Sequence, residues 1–229
     1  MSTVLLVRHG LTAMTGPVLA GRTPGVHLDD RGVAQAQAVA ERTAGLRLAA
    51  IVTSPLERCV ETATAIRAAQ RDEPEWAVDE RLVECGYGDW TGQPIKDLVK
   101  QPLWKVVQTQ PSAVRFPGGE SLPEMSARAV AAVRDWDARL GDAAVWVACS
   151  HGDVIKAIVA DALGLHLDQF QRIVPDPCSI SAIRYTATRP YVLHVNDIGG
   201  ELSGLAPPKK TRRRRTDATV GGGAGAGTV

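Results

Sequence analysis

Two apolar runs of the sequence end in the same way, with a histidine followed by a glycine. Residues 4–7 lead into Arg8-His9-Gly10, and residues 145–148 lead into Cys149-Ser150-His151-Gly152. Uninterrupted aliphatic residues of this kind are typical of strands that are covered on both faces, as in a largely parallel α/β sheet. Because ligands of such sheets bind beyond the carboxyl ends of the strands, both histidines are predicted to face one crevice.

The length and composition favour one globular domain. The chain has 229 residues, of which 45% are hydrophobic, and this is enough to bury one core and leave room for a small inserted cap. No apolar run approaches the roughly 20 residues that a membrane-spanning helix needs, and the first residues show no basic signal region. We therefore expect a cytoplasmic protein without a membrane partner.

The cysteines and histidines do not form a metal-binding pattern. No two cysteines stand in a C-x-x-C pair, and the five histidines lack spacings such as H-E-x-x-H. Cysteines placed in apolar segments pack as small hydrophobic side chains and fit a reducing compartment. We expect no metal and no other cofactor, although ligands brought together only by folding stay open. The cysteines are Cys59, Cys85, Cys149 and Cys178.

The net charge of +1 hides an uneven distribution. Six of the 26 basic residues and one of the 25 acidic residues lie after residue 208, which leaves a net charge of −4 over residues 1–208. A mildly acidic globular part does not indicate a nucleic-acid-binding protein. Residues 206–229 combine Pro207-Pro208, the basic cluster and a glycine-rich end, so they are predicted to be a disordered tail. A weak contact of this tail with nucleic acid stays open beside the simpler interpretation of a solvated extension.

Strand and helix patterns alternate along the chain, as in an α/β protein. One helix is expected to begin at Asp29-Asp30 and another at Ser54-Pro55, with Ser54 as the N-cap. Glycines and prolines are concentrated from about residue 85 to 123, which predicts a cap over a site. Strands are predicted over residues 4–8, 49–53, 144–149, 179–185 and 191–195, and helices over about 29–46 and 54–69, from 121 or 122, and after 151.

The residues at the predicted strand ends suit an anion. Arg8 carries a planar permanent charge that matches two phosphate oxygens, and backbone N–H groups near Gly10 add donors. Arg58 is expected in the first turns of a helix that follows a strand, where it reaches the same crevice. His151 precedes another helix, whose N-terminal dipole also favours an anion.

Together with other motifs in the same order, these residues resemble the histidine phosphatase superfamily, the phosphoglycerate mutase-like group, over roughly the first 200 residues. The resemblance implies a three-layer α/β fold, with a mostly parallel central sheet between helices. It also implies a domain over residues 1–205, with a cap at about 85–123. The motifs are Leu6-Val7-Arg8-His9-Gly10-Leu11-Thr12, Gly21-Arg22, Ser54-Pro55-Leu56 with Arg58, Leu82-Val83-Glu84 with Tyr87-Gly88-Asp89-Trp90, Pro117-Gly118-Gly119-Glu120-Ser121 and Ser150-His151-Gly152.

The resemblance also implies roles. His9 is the expected nucleophile that forms a phosphohistidine, and Glu84 is the expected proton donor and acceptor. Arg8, Arg58 and His151 are expected to hold the phosphoryl oxygens. Many members have asparagine at the position of Thr15, so substrate contacts there are in doubt. The substrate-binding set implied is Arg8, Gly10, Thr12, Thr15, Gly21, Arg22, Arg58, Glu84, Tyr87, His151 and Gly152.

The resemblance covers both phosphatases and phosphomutases. A mutase must exclude water and hold a bisphosphorylated intermediate, which calls for basic residues in the cap. Between Glu84 and Glu120 there are only four, namely Lys96, Lys100, Lys105 and Arg115. We therefore expect a phosphomonoesterase that acts on a small phosphorylated metabolite, with a phosphomutase as the alternative and a non-catalytic phosphate-binding module as a further one.

Two questions stay open, the role of the apolar cap residues and the oligomeric state. Apolar cap residues, Trp90 and Trp104 among them, suit either a hydrophobic part of the ester or packing of the cap on the body. The oligomeric state is open between a monomer and a homodimer.

Neither Cys178 with Arg184 nor Asp135-Trp136-Asp137 supports another phosphatase chemistry, since the first pair is predicted in a strand and the aspartates in a helix.

Overall fold

A mixed sheet of six strands forms the centre of the protein, in a computed structural model that describes residues 2–200 together with Val220, Gly221 and Gly223. The strand order is β3-β2-β4-β1-β5-β6. The first four of these strands run parallel, and β5 pairs antiparallel with β1 and β6. The strands are β1 Ser2–Arg8, β2 Ala50–Thr53, β3 Glu75–Val78, β4 Val145–Ser150, β5 Ile180–Tyr185 and β6 Pro190–Asp197.

Helices cover both faces of the sheet and make three layers. Alternate residues of β1 belong to different cores, with Val4 and Leu6 on one face and Leu5 and Val7 on the other. The first core includes α5 and α6, and the second includes α1 and α2. The expected phosphoglycerate mutase-like architecture is therefore confirmed. The helices are α1 Asp30–Thr43, α2 Glu57–Ala68, α3 Ile95–Leu98, α4 Pro102–Thr109, α5 Leu122–Leu140 and α6 Gly152–Ala162.

The structure contains one strand that was not predicted, and one local prediction is wrong. Strand β3 was not predicted, because it is a four-residue edge strand whose residues are half-buried or exposed. Helix α2 begins at Glu57 after the N-cap position Leu56, and not at Pro55. The Ser54 hydroxyl does not cap it, because Ser54 Oγ lies 2.7 Å from Nε2 of His151. Helix α5 begins where it was predicted, at Leu122, and Ser121 caps it in a capping box with Glu124.

The predicted cap segment, residues 85–123, contains α3, α4 and short 3₁₀ turns. Its aromatic residues pack together, since the ring centroids of Trp90 lie 6.1 Å from Trp104 and 5.4 Å from Phe116. All three side chains are buried in the same core as α5. Within the part of the chain that the structure describes, no helix is long and apolar enough to span a bilayer.

The predicted disordered tail, residues 206–229, lies mostly outside the described residues. Its disorder therefore stays a prediction, as does the division of the chain at residue 205. Three of its residues, Val220, Gly221 and Gly223, are described and line a cavity beside Arg8. They are considered with that cavity below.

Gly10 allows the loop after β1 to approach α1 closely. A Cβ atom at this position would lie 2.6 Å from the carbonyl oxygen of Gly32, so Gly10→Ala must move the backbone. We expect this variant to lose about 2 kcal/mol or more of unfolding free energy, measured by urea denaturation. Gly45→Ala is the matched control, because nothing lies within 4 Å of its Cβ position. Equal stability of the two variants would contradict the close approach.

Candidate active site

The pairing of β1 with β4 brings the two predicted histidines together. Arg8 is in register with Ser150, so His9 and His151 are both the next residue beyond the sheet. The backbone N–H of His9 donates to the Ser150 carbonyl at 3.0 Å. The two imidazole rings lie edge to face with their centroids 5.2 Å apart. The two histidines therefore lie side by side, and of the two His9 lines the cavity beyond the sheet edge while His151 is buried behind it.

Arg58 joins these histidines from the first turn of α2. Its strand β2 is the neighbour of β4 on the side away from β1, which places the start of α2 over the same sheet edge. Arg58 Nε lies 3.3 Å from His9 Nε2, and Arg58 Nη2 lies 3.3 Å from His151 Nδ1. The same Nη2 donates to the Gly21 carbonyl at 2.7 Å. A single guanidinium therefore connects both rings with the loop after β1.

The hydrogen bonds of His9 define which ring nitrogen carries the proton. Nδ1 lies 2.7 Å from the carbonyl oxygen of Gly10, which only accepts, so Nδ1 is the protonated nitrogen. Nε2 then keeps its lone pair and accepts from Arg58. Burial first, and then the charges of Arg58 and Arg8, lower the pKa of His9 well below its usual value. At neutral pH this ring is uncharged and its Nε2 is nucleophilic.

His151 is completely buried behind this pair. Its Nε2 lies 2.7 Å from the Ser54 hydroxyl, while Nδ1 faces Arg58. Burial, and then the charge of Arg58, lower the pKa of His151 well below its usual value. The ring is therefore neutral, and Ser54 together with Arg58 determines its orientation.

Glu84 contributes a carboxyl group to the same site from the segment before the cap. It is buried, and its Oε1 accepts from the backbone N–H of Cys85 at 2.9 Å. Burial, reinforced by the negative charge of Asp153, raises the pKa of Glu84 to about 7, against the opposite effect of the Cys85 N–H group, Arg58 and Arg8. A carboxyl group with this pKa exchanges a proton near neutral pH.

Arg22 supports Glu84 from outside the cavity. Its Nε donates to the Glu84 carbonyl at 2.8 Å, and its Nη2 pairs with Glu120 at 2.8 Å. Arg128 of α5 donates to the same carbonyl at 3.2 Å and also pairs with Glu120. Arg22 therefore orients the Glu84 segment, and its predicted contact with substrate stays a prediction.

A cavity lies over these groups. Most of the predicted site residues line it, whereas Gly10, Arg22, His151 and Gly152 do not. His151 stands directly behind His9, and Gly152 begins α6. The described lining residues are Arg8, His9, Thr12, Thr15, Gly16, Val18, Leu19, Ala20, Gly21, Arg58, Glu84, Tyr87, Ile95, Val220, Gly221 and Gly223.

Thr15, the position at which the family often has asparagine, lines the cavity with Thr12. Their two hydroxyl oxygens lie 2.9 Å apart, and Thr15 Oγ1 also accepts from the Thr12 backbone N–H at 3.0 Å. The Thr15 hydroxyl thus supports the turn after β1. Trp90 and Trp104 do not line the cavity, which favours the packing interpretation of the apolar cap residues.

Sequence reasoning missed a buried charged group next to the site. Asp153 accepts from the Tyr87 hydroxyl at 2.8 Å and from Lys156 Nζ at 3.1 Å, and Lys156 also donates to Gln171 at 3.0 Å. Asp153 and Lys156 stand three residues apart in a helix that is otherwise almost entirely apolar. That spacing was the available signal, because charged residues are rarely buried unless they are paired.

The comparison with known families agrees with this geometry. A family model described as histidine phosphatase superfamily (branch 1) matches residues 4–198. The chain belongs to the histidine phosphatase superfamily. It is an enzyme of the phosphatase type, and the resemblance inferred from its motifs is confirmed.

Relatives of this histidine phosphatase include both reaction types. It is 29% identical over 202 residues to Phosphoserine phosphatase 1 of Hydrogenobacter thermophilus, with 86% of this chain and 92% of the relative covered. It is 30% identical over 212 residues to "Probable phosphoglycerate mutase GpmB" of Enterobacter sp., with 91% and 97% covered. The solved structure of Bacillus stearothermophilus YhfR is 25% identical and superimposes with a TM-score of 0.77, over 87% of this chain and 98% of that one.

Asp153 is expected to influence the proton affinity of Glu84. Asp153→Asn removes a negative charge near Glu84 and leaves the positive charge of Lys156 in place. The pKa of Glu84 therefore falls. Because Glu84 is predicted to act as the acid in its protonated form, the alkaline limb of kcat/KM should move to lower pH by about one pH unit. The measurement is a pH profile with an alkyl phosphate ester, because its leaving alcohol requires a proton.

Two variants accompany this experiment. Asp161→Asn, near the end of the same helix, removes a carboxylate that pairs with the exposed Arg134 and should leave the profile unchanged. Asp153→Asn/Lys156→Gln removes both buried charges and should show the smaller shift. Thermal unfolding establishes that each variant is folded at the assay temperature. An unmoved alkaline limb in folded Asp153→Asn would contradict the electrostatic effect.

Proposed function

We propose that this protein hydrolyses a small phosphate monoester through a phosphohistidine formed on His9. The observation that carries the proposal is the unprotonated Nε2 of His9, which lies beside Arg58 in a cavity that Arg8 and Glu84 also line. Cations next to a neutral nucleophile hold and neutralise the phosphoryl oxygens. A carboxyl group with a raised pKa supplies the proton that the leaving oxygen requires.

The reaction has two balanced steps. In the first, His9 Nε2 attacks phosphorus and the bond to the ester oxygen breaks, while protonated Glu84 gives its proton to the departing alcohol. In the second, ionised Glu84 takes a proton from water, and the resulting hydroxide attacks phosphorus and breaks the phosphorus–nitrogen bond. Inorganic phosphate leaves, and both His9 and Glu84 return to their starting states.

Hydrolysis is favoured over phosphoryl transfer by the charges of the cavity. Among the described lining residues the arginines are Arg8 and Arg58. None of the four basic residues of the cap lines the cavity, and two of them pair with neighbouring acids, Lys100 with Asp97 and Arg115 with Glu124. The site therefore offers one cationic cluster, which suits one phosphoryl group rather than the two of a bisphosphorylated intermediate.

Phosphomutase activity is the second candidate, because a relative carries a phosphoglycerate mutase name. The two activities differ in the product formed from 3-phosphoglycerate. A phosphatase releases inorganic phosphate, whereas a cofactor-dependent mutase forms 2-phosphoglycerate when 2,3-bisphosphoglycerate is added. We expect release of phosphate and no dependence on the bisphosphate.

The lining of the cavity and the names of its relatives support a small metabolite as substrate. Beside the charged groups, Val18, Leu19 and Ile95 provide an apolar wall that suits a short organic part of a phosphate ester. O-phosphoserine and 3-phosphoglycerate are therefore the first compounds to compare by kcat/KM. A cytoplasmic location, a homodimer and a weak contact of the basic tail with nucleic acid remain predictions from the sequence.

His9→Ala should abolish turnover, because among the described residues no other nucleophilic side chain takes the place of His9 in the cavity. After acid quenching, a radiolabelled phosphate ester should label the wild type on histidine and leave His9→Ala unlabelled. His194→Ala is the matched control, since His194 is exposed on β6 and should behave as the wild type. Full activity of His9→Ala, or a wild type without label or turnover, would exclude the proposed reaction.

Glu84→Gln should slow esters of poor leaving groups far more than p-nitrophenyl phosphate, because nitrophenolate departs without a proton. We expect a loss of about 100-fold or more in kcat for an alkyl ester, with binding of inorganic phosphate retained. Glu80→Gln is the control, as Glu80 is exposed four residues earlier. Equal losses for both classes of ester would show that Glu84 is not the acid.

A further inference from the structure

The C-terminal segment Val220–Gly223 contacts the catalytic cavity through its described residues. Val220 is only 3% exposed and belongs to the same hydrophobic core as Leu19 and Tyr87. A Cβ atom at Gly221 would lie 3.1 Å from Leu19 Cδ1 and 3.6 Å from the Tyr87 hydroxyl. The segment therefore fits tightly against side chains that line the cavity.

The polar contacts of the segment involve a phosphate-binding group of the proposed reaction. Arg8 Nη1 donates to the Gly223 carbonyl at 2.5 Å, and Arg8 Nη2 lies 3.4 Å from the Gly221 carbonyl. Two carbonyl oxygens thus face one guanidinium, which is also how two oxygens of a phosphate are bound. The partial negative charge of these carbonyls repels a phosphoryl group that approaches Arg8.

Asp153 holds the segment from the other side. The backbone N–H of Gly221 donates to Asp153 Oδ2 at 3.1 Å, and the same oxygen accepts from the Tyr87 hydroxyl at 2.8 Å. The buried carboxylate of Asp153 therefore accepts a hydrogen bond from the segment, and Arg8 donates to the carbonyl oxygens of the segment. Donor and acceptor groups of the segment are thus both paired.

We propose that the described residues of this segment, Val220, Gly221 and Gly223, are an intramolecular ligand of the catalytic cavity, which docks between Arg8 and Asp153 and must leave before a phosphoryl group binds Arg8. This inference rests on the proposed role of Arg8 in phosphate binding. The docked and open states are in equilibrium, and substrate binds the open state alone. The segment therefore acts as a built-in competitor that weakens the binding of phosphate and raises KM while kcat stays unchanged.

The size of the effect follows from the population of the docked state. If docking occupies about 90% of the molecules, the apparent Kd for phosphate is about tenfold weaker than that of the open site. A substitution that prevents docking removes this factor. It should improve phosphate binding and lower KM by the same ratio.

Gly221→Val in the full chain tests the competition. Gly221 has a φ of +76° and close neighbours, so valine strains the backbone and displaces the segment. Calorimetry with inorganic phosphate should give a Kd about three- to tenfold lower than that of the wild type. Gly45→Val, at an open position, is the control. Because phosphate binding is measured without turnover, a failure of the proposed hydrolysis does not affect this test.

A second measurement follows the segment itself. The four native cysteines are buried, so the new thiol of a Val220→Cys variant is the reporter for Ellman's reagent. Its reaction should be slow without phosphate and at least several-fold faster at saturating phosphate. Val33→Cys, at a position that is 45% exposed, is the control and should react rapidly under both conditions.

The two measurements together decide the proposal. Tighter phosphate binding in Gly221→Val, with phosphate-accelerated labelling of Val220→Cys, supports an intramolecular competitor. Unchanged or weaker phosphate binding in Gly221→Val overturns it. Slower labelling of Val220→Cys in phosphate also overturns it, because the segment would then close over the bound anion. Labelling that depends on protein concentration overturns docking within one chain in favour of a second copy.

Discussion

The parallel pairing of β1 with β4 is the constraint on which the site depends. Its register sets Arg8 opposite Ser150, so the next residue of each strand is a histidine at the same edge of the sheet. The backbone bond from His9 to the Ser150 carbonyl continues this ladder for one residue. A shift of one residue would turn alternate side chains to opposite faces and would separate His9, Arg58 and His151.

Burial then determines the chemistry of the groups that this register assembles. The same exclusion of water that keeps His9 neutral makes Glu84 hold its proton more tightly. The two arginines reinforce the effect on the histidine and oppose it on the glutamate. Asp153 favours the protonated carboxyl of Glu84, and its own charge is balanced by Lys156. An unprotonated Nε2 of His9 and a Glu84 carboxyl group that holds its proton therefore coexist near neutral pH.

Much of the fold and the centre of the site could be predicted from the sequence. The apolar runs of β1 and β4 and the capping residues of α1 and α5 are local signals, and the ends of these elements lie close to the predicted ones. The edge strand β3 was not predicted, because its half-exposed residues show no regular alternation of apolar and polar side chains. Ser54 was assigned to a helix cap, since its true partner, His151, is 97 residues away and no local pattern connects them.

By itself, the sequence determined the α/β class, the family and the residue types that react, because strand periodicity, caps and short motifs depend on neighbours along the chain. Only the tertiary structure decided which nitrogen of His9 keeps its lone pair and how Arg22 supports Glu84. It also decided that Asp153 binds the hydroxyl of Tyr87, and that Val220, Gly221 and Gly223 line the cavity. Each of these depends on hydrogen bonds and burial between residues far apart in the chain. The energies of these interactions depend on desolvation and on the distances between the groups, and both are set only once the chain has folded.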